Sequence, residues 1–241
     1  MNGRRIVRWL LQTLLAAVAA SVLAVLLLRF VPPLTSAFMI ENRLASLAAG
    51  DFGRANDYDW VPLEEISPHA AIAVIASEDQ LFPFHAGFDF DSIRQAIRYN
   101  AKGRKTRGAS TISQQVAKNL FLWSGRSYLR KGLEVWFTVL VEGLWPKERI
   151  LEVYLNVAEF GPDTYGVEAA SRKFFGKSAA RLTRREAATL AAVLPSPARM
   201  RAATPSAYVQ RRSEFIMGQM RALGGESYLK QLDDEEPKRK P

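Results

Sequence analysis

Residues 9–28, WLLQTLLAAVAASVLAVLLL, are twenty consecutive residues without an ionisable side chain. As a helix rising ~1.5 Å per residue, this run spans ~30 Å, the hydrocarbon thickness of a bilayer. Arg4, Arg5 and Arg8 precede it. Under the positive-inside rule they hold the short N-terminus in the cytoplasm and send the rest of the chain across. A cleaved signal peptide is the competing reading. Its apolar region ordinarily runs about 7–15 residues, shorter than this one, and Thr35-Ser36-Ala37 is a tolerable but unconvincing cleavage site. The length favours an uncleaved anchor. The expected organisation is a basic N-terminus at 1–8, an anchor at 9–31, a membrane-proximal segment at 32–59, one main domain at 60–232 and a charged tail at 233–241.

Pro32 and Pro33 end the apolar run. Leu34, Phe38, Met39 and Leu44 then recur near helical spacing, which fits either a segment lying on the membrane surface or an ordinary core helix. Helical patterns dominate the remainder of the chain. They cover 70–77, then 91–101 with Ile93 and Ile97 on one face, and 111–122, which opens with Thr111-x-x-Gln114 as a capping box. Residues 127–144 are apolar nearly all round, so this helix is expected to be central and buried. Trp145-Pro146 breaks it, and Pro146 suits the start of a helix over 147–157. Gly161-Pro162 ends that one, and 184–194 is a further helix stopped by Pro-Ser-Pro. Strand signals are weak throughout. The expected fold is one mostly α domain on a single N-terminal transmembrane helix.

The chain of 241 residues is 48% hydrophobic, enough for one full core. It has no cysteine, which excludes disulfides and thiolate metal sites, and only His69 and His85, which excludes a histidine-rich one. The net charge of +9 is concentrated. Between Ser92 and Leu133 stand ten basic residues (Arg94, Arg98, Lys102, Arg104, Lys105, Arg107, Lys118, Arg126, Arg130, Lys131) and no acid. Such a field selects a nucleic acid, an anionic membrane surface or a pyrophosphate-bearing substrate. The topology argues against nucleic acid, because this segment lies across the membrane from the cytoplasm.

Three stretches carry candidate chemistry. In the helix over 127–144, Arg130, Glu134, Thr138 and Glu142 recur at every fourth residue, continuing from Arg126. That stripe is either a solvated face with an i, i+4 ion pair or the wall of a cleft. In RGASTISQQVAKNLF, Gly108 and Ser110 lead into a helix N-terminus that favours an anion. There Gln114 and Gln115 can read hydroxyls or amides, and Lys118 offers a point charge for phosphate; a capped polar helix face accounts for the same residues. In ASEDQLFPFHAGFD, Glu78 and Asp79 close an apolar segment, and Phe82 and Phe84 can shield one acid from water. Desolvation of that kind raises a carboxylate's pKa and suits it to proton transfer. Glu78 with Glu134 then makes a two-carboxylate arrangement for work at a glycosyl carbon. His85 reads more readily as a structural hydrogen-bonding residue than as a catalytic one.

Taken together these residues are specific. Glu78-Asp79-x-x-Phe82-x-x-His85-x-Gly87 resembles the first signature of the peptidoglycan glycosyltransferases, the lipid II polymerases found alone or in class A penicillin-binding proteins. GASTISQQVAKNLF resembles their second signature, and Arg130-Lys131-x-x-Glu134 with Glu142 the third. ILEVYLN with Gly161 resembles the fourth, followed by the similar YGVEAASRKFF, EAATLAAVLPSP and Arg211-Arg212. The likeness runs from about Trp60 to Met220, in order.

The resemblance implies a lysozyme-like, mostly α glycosyltransferase domain and an inverting, processive transfer. The donor would be a growing glycan on undecaprenyl pyrophosphate, and the acceptor lipid II. Glu78 would be the general base and Glu134 the second essential carboxylate. Candidate substrate-binding residues are Asp79, Phe82, His85, Gly87, Ser110, Thr111, Gln114, Gln115, Lys118, Asn119, Arg126, Arg130 and Lys131. Of these, Lys118, Arg126, Arg130 and Lys131 match pyrophosphate-holding positions. A divalent cation (Mg2+ or Mn2+) at the pyrophosphate is implied without assigned ligands, and no organic cofactor. The implied setting is the bacterial inner membrane, single-pass, with the catalytic domain periplasmic and cell-wall synthesis or division machinery as partners. Ser227-x-x-Lys230 is the only Ser-x-x-Lys, and Lys105-Thr106 is followed by Arg107. A second, transpeptidase domain is therefore not expected. The alternatives are a lysozyme-like or lytic glycan-cleaving enzyme, which has no need of the basic segment, and an inactive membrane-anchored scaffold.

Overall fold

The computed structural model describes residues 3–101, 103 and 108–232. Lys102, Arg104, Lys105 and Arg107 of the basic segment, and the charged tail at 233–241, lie outside the described residues. Helix α1, Gly3–Leu28, contains the apolar run, and it is the one helix among the described residues long and apolar enough to cross a membrane. The mostly α expectation holds. Helices α2 (Ala37–Ala48), α3 (Pro68–Glu78), α4 (Phe90–Asn100), α5 (Ile112–Phe121) and α6 (Tyr128–Leu144) come next in order. Helices α7 (Lys147–Val157), α8 (Val167–Phe175), α9 (Arg184–Val193) and α10 (Ala207–Ala222) complete the set.

Local chemistry explains the boundaries. Thr111 and Gln114 form the capping box anticipated for α5, and Thr183 with Glu186 forms a second one on α9. Ser127 caps α6 and Asp89 caps α4. Pro146 sits at the N-cap of α7, one residue before the helix it was expected to begin. Helix α3 is apolar on every face, and Ala70 through Ala76 are all buried. It runs through the centre, packed against α9 and α10. Helices α5 and α7 pack against each other and add Ile112, Val116, Ile150, Leu151 and Leu155 to the same core. In α4 only Ala96 is buried, and Ile97 points outward, so that helix lies on the surface.

Two expectations need correction. Strands do form: β1 (Asp57–Tyr58), β2 (Glu159–Gly161) and β3 (Thr164–Tyr165) make a small sheet in the order β1-β3-β2. Its first pair is parallel and its second antiparallel. Each strand is too short to show an alternating pattern. Gly166 follows β3 at φ +87°, and a Cβ there would lie 2.7 Å from the backbone oxygen of Asn156. The second correction concerns α6, which is not central and buried. Its buried residues are Glu134, Thr138 and Val141, while Leu129, Val135, Trp136 and Val139 are exposed. The polar stripe faces inward and the apolar face outward, beside α1. Apolar side chains can be left outward where the surroundings are lipid rather than water, which suits a chain with a membrane-length helix.

Polar ties join α1 to the domain. The Trp145 indole donates to the Val25 carbonyl at 2.8 Å, and the Trp136 indole to Ser21 Oγ at 3.1 Å. Arg149 donates to the Leu28 carbonyl through Nε and Nη2 and to the Val31 carbonyl through Nη2, while its Nη1 binds Glu152 at 2.6 Å. A cation is thereby placed on the end carbonyl of α1 at Leu28 and on that of Val31 just beyond it.

At Gly166 both the left-handed backbone and the close Asn156 oxygen exclude a side chain. Gly166→Ala is expected to destabilise the detergent-solubilised protein by at least about 1 kcal/mol in denaturant titration. An unchanged midpoint would contradict that packing.

Candidate active site

The C-terminal end of α3 delivers two adjacent acids into different surroundings. Asp79 is buried, and its carboxylate accepts the Ile112 backbone N–H, the first of α5, at 3.0 Å. The His85 Nε2 sits 3.0 Å from both carboxylate oxygens, and His85 Nδ1 accepts the Gly87 N–H at 3.2 Å. Both ring nitrogens are therefore used inside the protein. Phe82 is fully buried and meets the His85 ring edge-on at 6.3 Å. Gly87, at φ +82°, lets the loop approach α6, since a Cβ would come 2.7 Å from Thr138 Cγ2. The Gly87 carbonyl accepts the Thr111 hydroxyl at 2.7 Å. The first and second signature stretches are thus knitted together through backbone groups.

Glu78 stands at the edge of this knot, with 15% of its side chain exposed. Gln115 Nε2 donates to its Oε2 at 3.0 Å. Arg212 Nη2, from α10, lies 3.9 Å from its Oε1, a charge neighbour rather than a hydrogen bond. Burial raises the Glu78 pKa, and neighbouring Asp79 adds to the rise; the Gln115 hydrogen bond and the charges of Arg212 and Lys118 oppose it. Tyr154 donates to Gln115 Oε1 at 3.3 Å from the far side. A cavity of about 760 Å³ opens onto Glu78, lined also by Asp79, Asp89, Ser110, Gln115 and Arg212.

A second centre forms on α6. Glu134, with 4% of its side chain exposed, binds Arg130 Nη1 at 2.7 Å and also Lys131 Nζ. Lys118 reaches toward both centres. Burial lowers its pKa, the Glu134 and Glu78 charges raise it, and Arg130 and Lys131 lower it. Its Nζ also rests 5.3 Å from the Phe38 ring centroid, a contact supplied by α2. Behind Glu134, Glu142 accepts the Ser113 hydroxyl and pairs with Lys147 at 2.8 Å, while Lys147 Nζ donates to the His85 carbonyl at 2.6 Å.

The structure therefore brings most candidate residues together, in different capacities. Glu78, Ser110 and Gln115 line the cavity; Asp79 and Thr111 line it too, while bonding within the protein. Gln114 is buried, its side-chain oxygen committed to the Thr111 N–H of the capping box. Asn119 is buried with its Oδ1 lacking a hydrogen-bond partner. Arg130, Lys131 and Glu134 group on α6 outside the cavity lining, and Arg126 is exposed on the loop before it. Sequence reasoning gave no site role to Arg212 or Tyr154. Both stand in stretches quoted for the resemblance, ILEVYLN and Arg211-Arg212, but each comes to Glu78 or Gln115 only through the tertiary fold. Among the described residues no group of three or more His, Asp or Glu side chains is placed to hold a metal ion. Asp79, Glu134 and Glu142 are each engaged by protein donors, so no protein cage is assigned to a divalent cation.

The family profile described as "Transglycosylase" matches residues 45–221. The chain is similar to a biosynthetic peptidoglycan transglycosylase of Xanthomonas campestris pv. campestris (strain B100), 55% identical over 228 residues that cover 95% of this chain and 93% of that protein. It is similar to one of Shewanella oneidensis (strain MR-1), 54% identical over 235 residues covering 97% and 99%. It is also similar to one of Pseudomonas entomophila (strain L48), 54% identical over 231 residues covering 95% and 96%.

The raised pKa of Glu78 has a consequence for stability. The folded state holds the proton more tightly than the unfolded chain does, whose value is about 4.3. The native protein is therefore favoured below that value and loses this contribution as pH rises through the folded pKa. Glu78→Gln is expected to melt higher than the parent near pH 7, with the gap closing toward pH 4, by scanning calorimetry in detergent. A gap independent of pH would remove the desolvation argument.

Proposed function

The chain belongs to the biosynthetic peptidoglycan transglycosylase family, and on that premise we propose that it polymerises lipid II into linear glycan strands. The observation that carries the reading is the setting of Glu78. A mostly dehydrated carboxylate opens on a cavity, steadied by one amide donor, with an arginine charge nearby. Such a group accepts a proton at the moment of reaction without needing water to reorganise. In the proposed step the acceptor GlcNAc 4-hydroxyl attacks C1 of the donor MurNAc. The O–H bond breaks and its proton passes to Glu78. The new C1–O bond forms with inversion while the bond from C1 to the pyrophosphate oxygen breaks, and undecaprenyl pyrophosphate leaves with the electron pair.

The leaving group carries away negative charge, so cations must meet it. Lys118, Arg130 and Lys131 are suited to that role, and Glu134 suits the positioning of two of them. With both held by one buried carboxylate, they are ordered before substrate arrives, which limits the entropy lost on binding. Lys118, between the two carboxylates, is the natural link from the cation group to the base. Arg126, exposed on the loop, is assigned to the outer part of the pyrophosphate path. The anchor keeps the site at the bilayer, where a polyprenyl substrate resides. The three N-terminal arginines favour a cytoplasmic N-terminus and a periplasmic catalytic domain.

A glycan-cleaving enzyme with a single catalytic glutamate is the second reading, favoured by Glu78 as the one glutamate lining the cavity among the described residues. The likeness to biosynthetic transglycosylases and the cations around Glu134 weigh against it. Incubation with lipid II separates the two: polymer growth with release of undecaprenyl pyrophosphate supports synthesis, and shortening of preformed glycan supports cleavage. Glu78→Gln is expected to lower polymerisation by roughly 10²–10⁴-fold while circular dichroism stays unchanged. Near-normal turnover would withdraw the base assignment.

A further inference from the structure

The Gln115 amide has a donor end and an acceptor end, and the end that faces Glu78 decides whether the pair attracts or repels. An ionised carboxylate only accepts hydrogen bonds, so a flipped amide would set oxygen against oxygen. Tyr154, buried on α7, stands on the other side of that amide with its hydroxyl 3.3 Å from Oε1. A hydroxyl can donate or accept, but here only one polarity satisfies all three groups. Tyr154 donates to Oε1, and Nε2 donates to Glu78 Oε2 at 3.0 Å.

We infer that Tyr154 is a positioning residue of the active site, whose hydroxyl locks the Gln115 amide so that its NH2 faces Glu78. The inference rests on the reading of Glu78 as base. With Oε2 occupied by Gln115 and Arg212 too distant for a hydrogen bond to Oε1, Oε1 is the oxygen presented to the incoming hydroxyl. Complete burial and the charges of Glu78 and Asp79 push the Tyr154 pKa well up, so its proton stays in place at any working pH. The charges acting on Glu78 are Asp79 beside it, Lys118 on α5 and Arg212 on α10, with Glu134 acting in turn on Lys118, while the neutral Tyr154 hydroxyl faces the amide from α7. The amide is the one hydrogen-bond donor among them that Glu78 engages among the described residues, so its orientation has an outsized effect on how readily the carboxylate ionises.

Tyr154→Phe keeps the buried ring and removes the hydroxyl. In full-length protein polymerising lipid II in detergent, kcat is expected to fall roughly tenfold with KM little changed. The acidic limb of the kcat–pH profile should move to higher pH, because an amide free to flip no longer always supports the anion. Adding Tyr154→Phe to Gln115→Ala should cost nothing more, since the hydroxyl acts only through the amide. A parental rate and limb in Tyr154→Phe, or additive losses in the double variant, would overturn the inference. If Tyr154→Phe does not fold, 3-fluorotyrosine at position 154 supplies a more acidic hydroxyl in nearly the same volume. The acidic limb should then move to lower pH, and an unmoved limb counts against the lock. Glu78→Gln in the same assay separates the two ideas. Activity retained there removes the base, whereas an inactive Glu78→Gln beside a normal Tyr154→Phe removes only the lock.

Discussion

A carboxylate taken out of water must be repaid in hydrogen bonds, and Asp79 collects them from two distant pieces of chain. It binds the His85 ring and the first N–H of α5. That single acid fixes the end of α3 against the start of α5 and shapes the loop through Gly87. Everything functional nearby inherits its position from this junction. Glu78 is the neighbouring residue, Gln115 lies one turn along the helix that Asp79 caps, and Thr111 ties back to Gly87. Two adjacent acids thus divide the work. One is consumed by structure, and the other is left with a single amide donor and a cavity in front of it.

Helix α6 shows a second division. Glu134, Thr138 and Glu142 turn inward, where Arg130, Lys131, Ser113 and Lys147 meet the acids, while Val135, Trp136 and Val139 face out. In a water-soluble helix this arrangement would be inside out. Next to a helix of membrane length it is consistent, because lipid penalises exposed charge more than exposed valine. The inward stripe thereby pairs its acids with cations inside the fold, and the outward face of the helix's middle carries Val135, Trp136 and Val139.

Much of this was legible before any coordinates. A helix start was readable where the side chain at the cap names itself, as at Thr111, and the break at Trp145-Pro146 fell where expected, whereas α7 stops at Val157 and Gly161-Pro162 ends strand β2 instead of that helix. Pattern alone flagged Glu78 and Asp79 as a pair, and only the fold shows Asp79 bonded to His85 and the Ile112 N–H. The orientation of α6 was not legible, since a periodic stripe reveals that two faces differ and not which one meets the interior. The sheet escaped because its strands are two or three residues long. Arg212 and Tyr154 escaped for a different reason: their relevance lies in a distance to Glu78 or Gln115 that only the packing of α7 and α10 against α3 and α5 creates.

The ties between α1 and the domain give the anchor a further meaning. Arg149 grips the carbonyls of Leu28 and Val31, and Trp145 reaches back to Val25, so the last turn of α1 belongs mechanically to the folded domain. A flexible tether would let the domain swivel and leave depth to chance. A gripped helix makes its tilt the domain's tilt, and tilt answers to the mismatch between apolar length and bilayer thickness. The lipid composition around the anchor thereby becomes a setting for the angle at which the cleft meets the headgroup plane.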